Sequence, residues 1–222
     1  ALAGVDVLLM VSASESADRL LQHRTFIDAA AAAGVRHVVY TSFLGAAADA
    51  VFTLARTHWA TEEHLRASGM GFTLLRDSFY LDFLPDLAVD GVIAGPAGTG
   101  RVGAVAREDV ARSAAAVLAD LAAGDRRHDG AVYELTGPRA LSLSDVAAIL
   151  TAAGRPTVYR QESVEEAYAS RSVYGVPDWQ VDAWVSTYTA IASGALDRIT
   201  HDVERLTGRR PLGLAELLAG LP

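Results

Sequence analysis

Ala33-Gly34-Val35-Arg36-His37-Val38-Val39-Tyr40-Thr41-Ser42 carries the chain from the end of a helix through a buried strand into a hydroxyl-bearing loop. Gly34 stands where a C-cap closes a helix, and glycine enters the left-handed backbone found there without steric cost. Residues 36–40 then read as a strand that ends at Thr41-Ser42. Working upstream, the helix that Gly34 closes carries Leu20 and Ile27 on one face. Before it, Val5-Asp6-Val7-Leu8-Leu9-Met10-Val11 is apolar almost without a break, as in a strand covered on both faces. That strand stops at Ser12-Ala13-Ser14-Glu15-Ser16, whose hydroxyls and carboxylate suit a loop and a helix start. Downstream, a helix over 58–68 is closed by Gly69, and Phe72-Thr73-Leu74-Leu75 reads as a third strand. Strands alternating with helices in this way argue for parallel βαβ units.

Further on, residues 108–123 have a helical pattern with Val110, Val117, Leu118 and Leu121 on the apolar face. Val132-Tyr133-Glu134-Leu135 is another strand, and Ser142 with Asp145 resembles a capping box at the head of a helix reaching about 153. Helical patterns then cover 164–170, 178–193, 201–207 and 214–219. The expected fold is α/β: a Rossmann-type parallel sheet with a smaller, mainly helical C-terminal lobe. Residues 1–90 hold the wound sheet, and 91–222 hold a remaining strand and the helical lobe, in one continuous unit. Ligands of such folds sit beyond the carboxyl ends of the strands. That rule selects residues 12–15, 41–44 and 76–80.

Composition narrows the function. Apolar residues make up 51% and charged residues 21% of 222 residues, enough for a well-buried core and against disorder. There is no cysteine, which removes disulfides, thiolate metal sites and a cysteine nucleophile, and fits a cytoplasmic protein. A net charge of −8 argues against a nucleic-acid binder, and no apolar run is long enough for a membrane span. All 19 basic residues are arginine. A Schiff-base lysine, a P-loop lysine and a Tyr-x-x-x-Lys site are therefore excluded. Neither H-E-x-x-H nor G-x-S-x-G occurs.

Several stretches together resemble the NmrA-like branch of the atypical short-chain dehydrogenases/reductases. They are Gly4-Val5-Asp6 leading into Val11-Ser12-Ala13-Ser14, Gln22-His23-Arg24, and Ala32 with the run from Ala33 to Ser42 quoted above. His58-Trp59-Ala60-Thr61-Glu62-Glu63 and Gly71-Phe72-Thr73-Leu74-Leu75-Arg76-Asp77-Ser78-Phe79-Tyr80 follow. Gly98-Thr99-Gly100-Arg101, Arg107-Glu108-Asp109-Val110-Ala111 and Val132-Tyr133-Glu134-Leu135-Thr136-Gly137 complete the pattern. Their order is similar to the quinone oxidoreductase 2 and triphenylmethane reductase group. Members of that family open with a strand and a Gly-rich turn that holds the pyrophosphate. No such turn opens this chain, so it is expected to begin at the fourth strand, about 70 residues into the mononucleotide-binding half. The group also has asparagine where Asp77 stands, and an ionised carboxylate accepts hydrogen bonds where an amide both donates and accepts.

The resemblance implies an NAD(P)H-dependent reductase that transfers hydride to a quinone-like or other conjugated acceptor. The cofactor is NADPH, with NADH as the alternative, and a homodimer is allowed for. His58 occupies the position of a catalytic lysine in related benzylic ether reductases and is the candidate proton donor, with Glu62 one turn on to orient it. The plainer alternative is that His58 caps or packs the helix start. Tyr80 is a second candidate donor to the substrate, or a partly buried wall. Ser12, Ala13 and Ser14 are expected on the ribose side of the cofactor, and Thr41, Ser42 and Phe43 near the nicotinamide. Asp77 and Ser78 join His58 as cofactor contacts. Phe79, Phe83, Trp179 and Trp184 line an apolar pocket or simply pack the core. The glycines of 95–103 read as a structural turn. The competing function is a non-catalytic NAD(P)-binding redox sensor of the NmrA type, and a third is a cofactor-free interaction module.

Overall fold

In the computed structural model, which describes residues 2–220, the central strand is buried along its whole length, from His37 to Phe43. The elements run β1 (Val7–Met10), α1 (Arg19–Ala32), β2 (His37–Phe43), α2 (Thr53–Ala67) and β3 (Gly71–Asp77). A 3-10 turn (Leu84–Leu87), β4 (Ala88–Val89), β5 (Val92–Gly95), β6 (Arg101–Val102), α3 (Arg107–Ala122) and β7 (Val132–Leu135) follow. The chain continues with β8 (Leu141–Ser142), α4 (Leu143–Ala152), β9 (Val158–Gln161), α5 (Val164–Ser172), α6 (Asp178–Ala192), α7 (Asp202–Thr207) and α8 (Leu214–Gly220).

The main sheet has the order β1-β2-β3-β7 and is parallel throughout. Alternate residues of its strands feed two cores, which explains why the strands read as continuous apolar runs. Val38, Tyr40 and Leu74 pack with Ile27 and Ala30 of α1 and Leu65 of α2. Val39 and Leu75 pack on the other face, against Val110, Val117 and Leu121 of α3 and Val203 of α7. β1 lies at one edge, where the exposed Leu9 and Val11 share a shallow cleft with Phe26 of α1.

The second lobe is mainly helical, and it also carries two small sheets. β4 pairs antiparallel with β5, β5 parallel with β9, and β6 antiparallel with β8. Strands of two to four residues are too short to show a period, so only their pairing reveals them. The two capping boxes of this lobe, Ser142 with Asp145 and Ser163 with Glu166, are local and satisfy their helix ends within four residues.

The glycines of 95–103 permit close packing. A β-carbon at Gly100 would meet the Ile191 carbonyl of α6, one at Gly103 the Arg198 carbonyl, and one at Gly95 the Tyr188 ring. Gly98-Thr99-Gly100-Arg101-Val102-Gly103 has G-x-G-x-x-G spacing, yet it leads into β6 instead of opening a helix and so has no helix N-terminus to offer a phosphate. Gly100→Ala is expected to destabilise the fold by about 1–3 kcal/mol, the usual cost of overpacking, measured as a lower urea midpoint. Among the described residues no helix is long and apolar enough to cross a membrane, and no group of three or more side chains could hold a metal ion.

Candidate active site

The carboxyl ends of β1, β2 and β3 meet over a buried polar cluster. Helix α1 builds its floor, because the face it turns to the sheet is Arg19, His23, Ile27 and Ala30. Their i, i+4 and i, i+3 spacings set these on one stripe. Leu20, expected on that face, is only half-buried, while Arg19 beside it is buried. A charged residue in a helix is ordinarily solvated, so only its spacing from His23 and Ile27 marks Arg19 in the sequence.

Arg19 ties three segments together. Its Nε donates to the Ala13 carbonyl at 2.8 Å, Nη1 to Thr57 Oγ1 at 3.1 Å, and Nη2 to His58 Nε2 at 2.9 Å. A guanidinium only donates, so His58 Nε2 accepts and the ring proton sits on Nδ1. That N–H donates to the Tyr40 hydroxyl at 2.9 Å. His58 is therefore held in one tautomer, with both nitrogens engaged. Burial first, then Arg19 and His23, keep its pKa well below the ordinary histidine value.

His23 is fixed in the same way. The Ala13 amide donates to its Nε2 at 2.8 Å, so Nδ1–H donates to Thr61 Oγ1 at 2.8 Å, and Thr61 passes its own hydrogen to the Thr57 carbonyl. Burial and the Arg19 charge push the His23 pKa down to about 4. The Ser12 amide donates to Thr41 Oγ1 at 2.9 Å, joining the β1 loop to β2. Ser14 is exposed on that loop.

Helix α2 begins at Thr53, earlier than its pattern suggests, because the Thr53 amide donates to Ser186 Oγ of α6 across 133 positions. His58 thus lies inside the helix and caps nothing. The expectation that it hands a proton to an acceptor meets a ring whose single N–H goes to Tyr40. Glu62 does not orient it either. Its carboxylate accepts from Ser42 Oγ at 2.5 Å and takes a two-pronged contact from Arg76, Nε at 2.8 Å and Nη2 at 2.6 Å. Ser42, fully buried, is committed to this ion pair.

The end of β3 completes the site. Phe43 pairs with Asp77 in the β2–β3 register, which sets the two strand ends side by side. Phe43 also stacks near Phe52, Phe79 and the His58 ring, with centroids 4.9, 5.2 and 5.9 Å away. Asp77 is 4% exposed and accepts a hydrogen bond from the half-buried Tyr80 hydroxyl at 2.7 Å. Burial raises the Asp77 carboxyl to about 7, against the opposing pull of Tyr80, a backbone amide and Arg19. Next to it, the buried Ser78 Oγ has no hydrogen-bond partner among the described residues. A buried hydroxyl left in that state is a place for an incoming polar group.

The predicted aromatic wall divides. Phe83 and Trp184 line a cleft of about 470 Å³ with Leu87, Val92, Tyr174 and Tyr188, while Phe79 belongs to the Phe43 cluster. Trp179 is half-buried on α6 and is not part of that lining.

A parallel sheet wrapped by helices, with its polar residues gathered at the carboxyl ends of three strands, defines a Rossmann-type nucleotide-binding protein. The family model described as NAD(P)H-binding matches residues 1–121. The chain belongs to this NAD(P)H-binding family, in the NmrA-like group of atypical short-chain dehydrogenases/reductases. It is 37% identical over 226 residues to quinone oxidoreductase 2 of Escherichia coli, covering 100% of this chain and 77% of that protein. The structure of an NADPH-dependent quinone oxidoreductase from E. coli complexed with NADPH superposes with a TM-score of 0.86 at 34% identity, covering 98% of this chain and 77% of that one. Triphenylmethane reductase of Citrobacter sp. complexed with NADP(H) superposes at 0.83 with 30% identity, over 98% and 77% of the two chains.

Proposed function

We propose that this chain is an NAD(P)H-dependent reductase acting on a quinone-like or other conjugated small-molecule acceptor, with NADPH as its reductant. The carrying observation is the unpartnered Ser78 hydroxyl beside the Asp77–Tyr80 pair, at the strand ends where this fold binds its ligands. These residues fit the nicotinamide and ribose end of a dinucleotide: Ser78 and Ser14 offer hydroxyls, and Phe43 offers an apolar ring to a flat heterocycle. When bound, the reduced dinucleotide supplies the hydride. Everything else falls to this chain.

Arg19 and the His58–Tyr40 pair hold the Ser12–Ser14 loop and the end of β2 in a fixed relation, so the ligand meets preorganised groups. Ser12, Ala13, Thr41 and Ser42 support that wall, the first three through the bonds just described and Ser42 through Glu62. His58 packs behind Phe43, the ring centroids 5.9 Å apart, and supports that wall from within. Tyr80 has one hydroxyl hydrogen, which Asp77 accepts while ionised; with Asp77 protonated that hydrogen turns to the acceptor oxygen as negative charge develops there.

Two assays test the proposal. In the first, NADPH and NADH are titrated into the chain by calorimetry. In the second, NADPH oxidation is followed with a panel of quinones and azo or triphenylmethane dyes. Turnover with at least one acceptor class is the expected result. Dinucleotide binding with no turnover on any acceptor would move the assignment to a redox sensor, and no binding at all would leave an interaction module.

A further inference from the structure

Among the buried titratable groups, Asp77 has a distinctive outlet. It is 4% exposed, and its carboxylate oxygen Oδ2 is bonded to the hydroxyl of a residue that does reach the surface. Tyr80 is held in place on both sides. Its backbone bridges to Val105, with the Leu81 amide donating to the Val105 carbonyl at 2.9 Å and the Val105 amide to the Phe79 carbonyl at 2.9 Å. The Arg107 guanidinium lies 5.1 Å from its ring centroid. The phenol of this half-buried residue is thus bonded directly to a buried acid at the carboxyl end of β3.

We infer that Asp77 and Tyr80 form a proton relay, in which Tyr80 donates to the acceptor and Asp77 replaces the proton as it leaves. The inference rests on the reductase reading above. The acceptor takes a hydride, a proton carrying two electrons, from the reduced dinucleotide. As its new O–H bond forms, the Tyr80 O–H bond breaks, and the Asp77 O–H bond breaks as the phenol O–H is restored. Asp77 is left as a carboxylate and recovers its proton from water. The dinucleotide is oxidised by two electrons and the acceptor reduced by two, so the step balances.

The direction of the Asp77–Tyr80 hydrogen bond decides which state can work. With Asp77 ionised, the phenol hydrogen points inward to the carboxylate, as its position requires. With Asp77 protonated, the carboxyl donates to the phenol oxygen and the phenol hydrogen is free to turn outward. Burial and the neighbouring Asp77 raise the Tyr80 pKa well above its usual value, so the phenol alone is a poor acid. Concerted replacement from Asp77 avoids a tyrosinate, and the acid strength of the pair becomes that of Asp77. The groups facing Asp77 are Arg19 from α1, Tyr40 from β2 and Tyr80 itself, with Arg107 and Asp82 acting on Tyr80 from beyond. A carboxyl at about 7 is suited to donate at neutral pH.

The test has two independent readouts. The first is the carbon-13 shift of the Asp77 carboxyl across pH. Its midpoint is expected near 7, and Tyr80→Phe is expected to move it upward by removing a hydrogen bond that favours the charged form. A midpoint in the ordinary aspartate range, or one that Tyr80→Phe leaves in place, overturns the relay whether or not the chain turns over. The second is the pH profile of kcat/KM for quinone reduction by NADPH. The rate is expected to fall about tenfold per unit above the Asp77 midpoint, and Asp77→Asn is expected to lose that break. Turnover with the same break in Asp77→Asn overturns the relay alone. A wild-type chain inactive at every pH overturns the reductase reading itself, and the relay with it.

Discussion

Asp77→Asn is expected to gain stability on the parent as the pH rises, the gap widening by about 4 kcal/mol between acid and mildly alkaline solution. The cause is a carboxyl whose pKa rises from an ordinary 3.8 to about 7 on folding, chiefly because burial disfavours its charge. A group raised in the folded state holds its proton more tightly there than in the unfolded chain. Its stabilising contribution is full below 3.8 and is lost as the pH climbs through about 7. About three pH units at 1.36 kcal/mol each set the size of the change. Asparagine has no proton to lose, so the variant escapes this loss. His23 and His58 shift in the opposite direction, and they are common to both proteins, so they cancel in the difference. Urea unfolding of the two proteins at several pH values measures it. A gap that stays constant with pH would mean Asp77 ionises as freely in the fold as outside it.

Glu62→Ala is expected to cost the fold about 3–5 kcal/mol, the range found when one partner of a buried ion pair is removed. Glu62 is 1% exposed and answers three donors at once: the Ser42 hydroxyl and two nitrogens of Arg76. Alanine leaves a largely buried guanidinium without its anion and a buried hydroxyl without its acceptor, besides a small cavity. Glu62→Gln keeps an oxygen for Ser42 but loses the charge opposite Arg76, so its loss is expected to be smaller. The midpoints of urea unfolding for the two variants rank the effects. Equal and small losses would show that water reaches Arg76 freely.

The elements legible in the chain are those with a strong local signal. The strand read at 36–40 announces itself because its apolar residues face two helical layers at once, with Val38 and Tyr40 toward α1 and α2 and Val39 toward α3; the structure starts it at His37, with Arg36 exposed. Ser142 with Asp145 was readable because a capping box is complete within four residues. The candidate site was partly legible. The ligand rule for parallel sheets picked out Thr41, Asp77, Ser78 and Tyr80, and the structure sets Asp77, Ser78 and Tyr80 together at the end of β3. That rule is silent on helix residues, so Arg19 and His23 went unread, and the one-turn spacing that set Glu62 to orient His58 gives way to its bonds with Ser42 and Arg76.

The short strands of the second lobe were therefore not readable from the chain alone, whereas the four strands of the main sheet, the longer helices and the loops at the sheet's carboxyl edge were. These follow from hydrophobic period and helix-end chemistry, which act over a few residues. Only the tertiary structure decided what each polar side chain at that edge is doing. Arg19 meets His58 across 39 positions, and Glu62 meets Ser42 across 20. Asp77 owes its elevated pKa to burial under neighbours from several elements. Hydrogen-bond direction, tautomer and charge state depend on which groups remain when water is excluded, and that is settled when the helices close over the sheet.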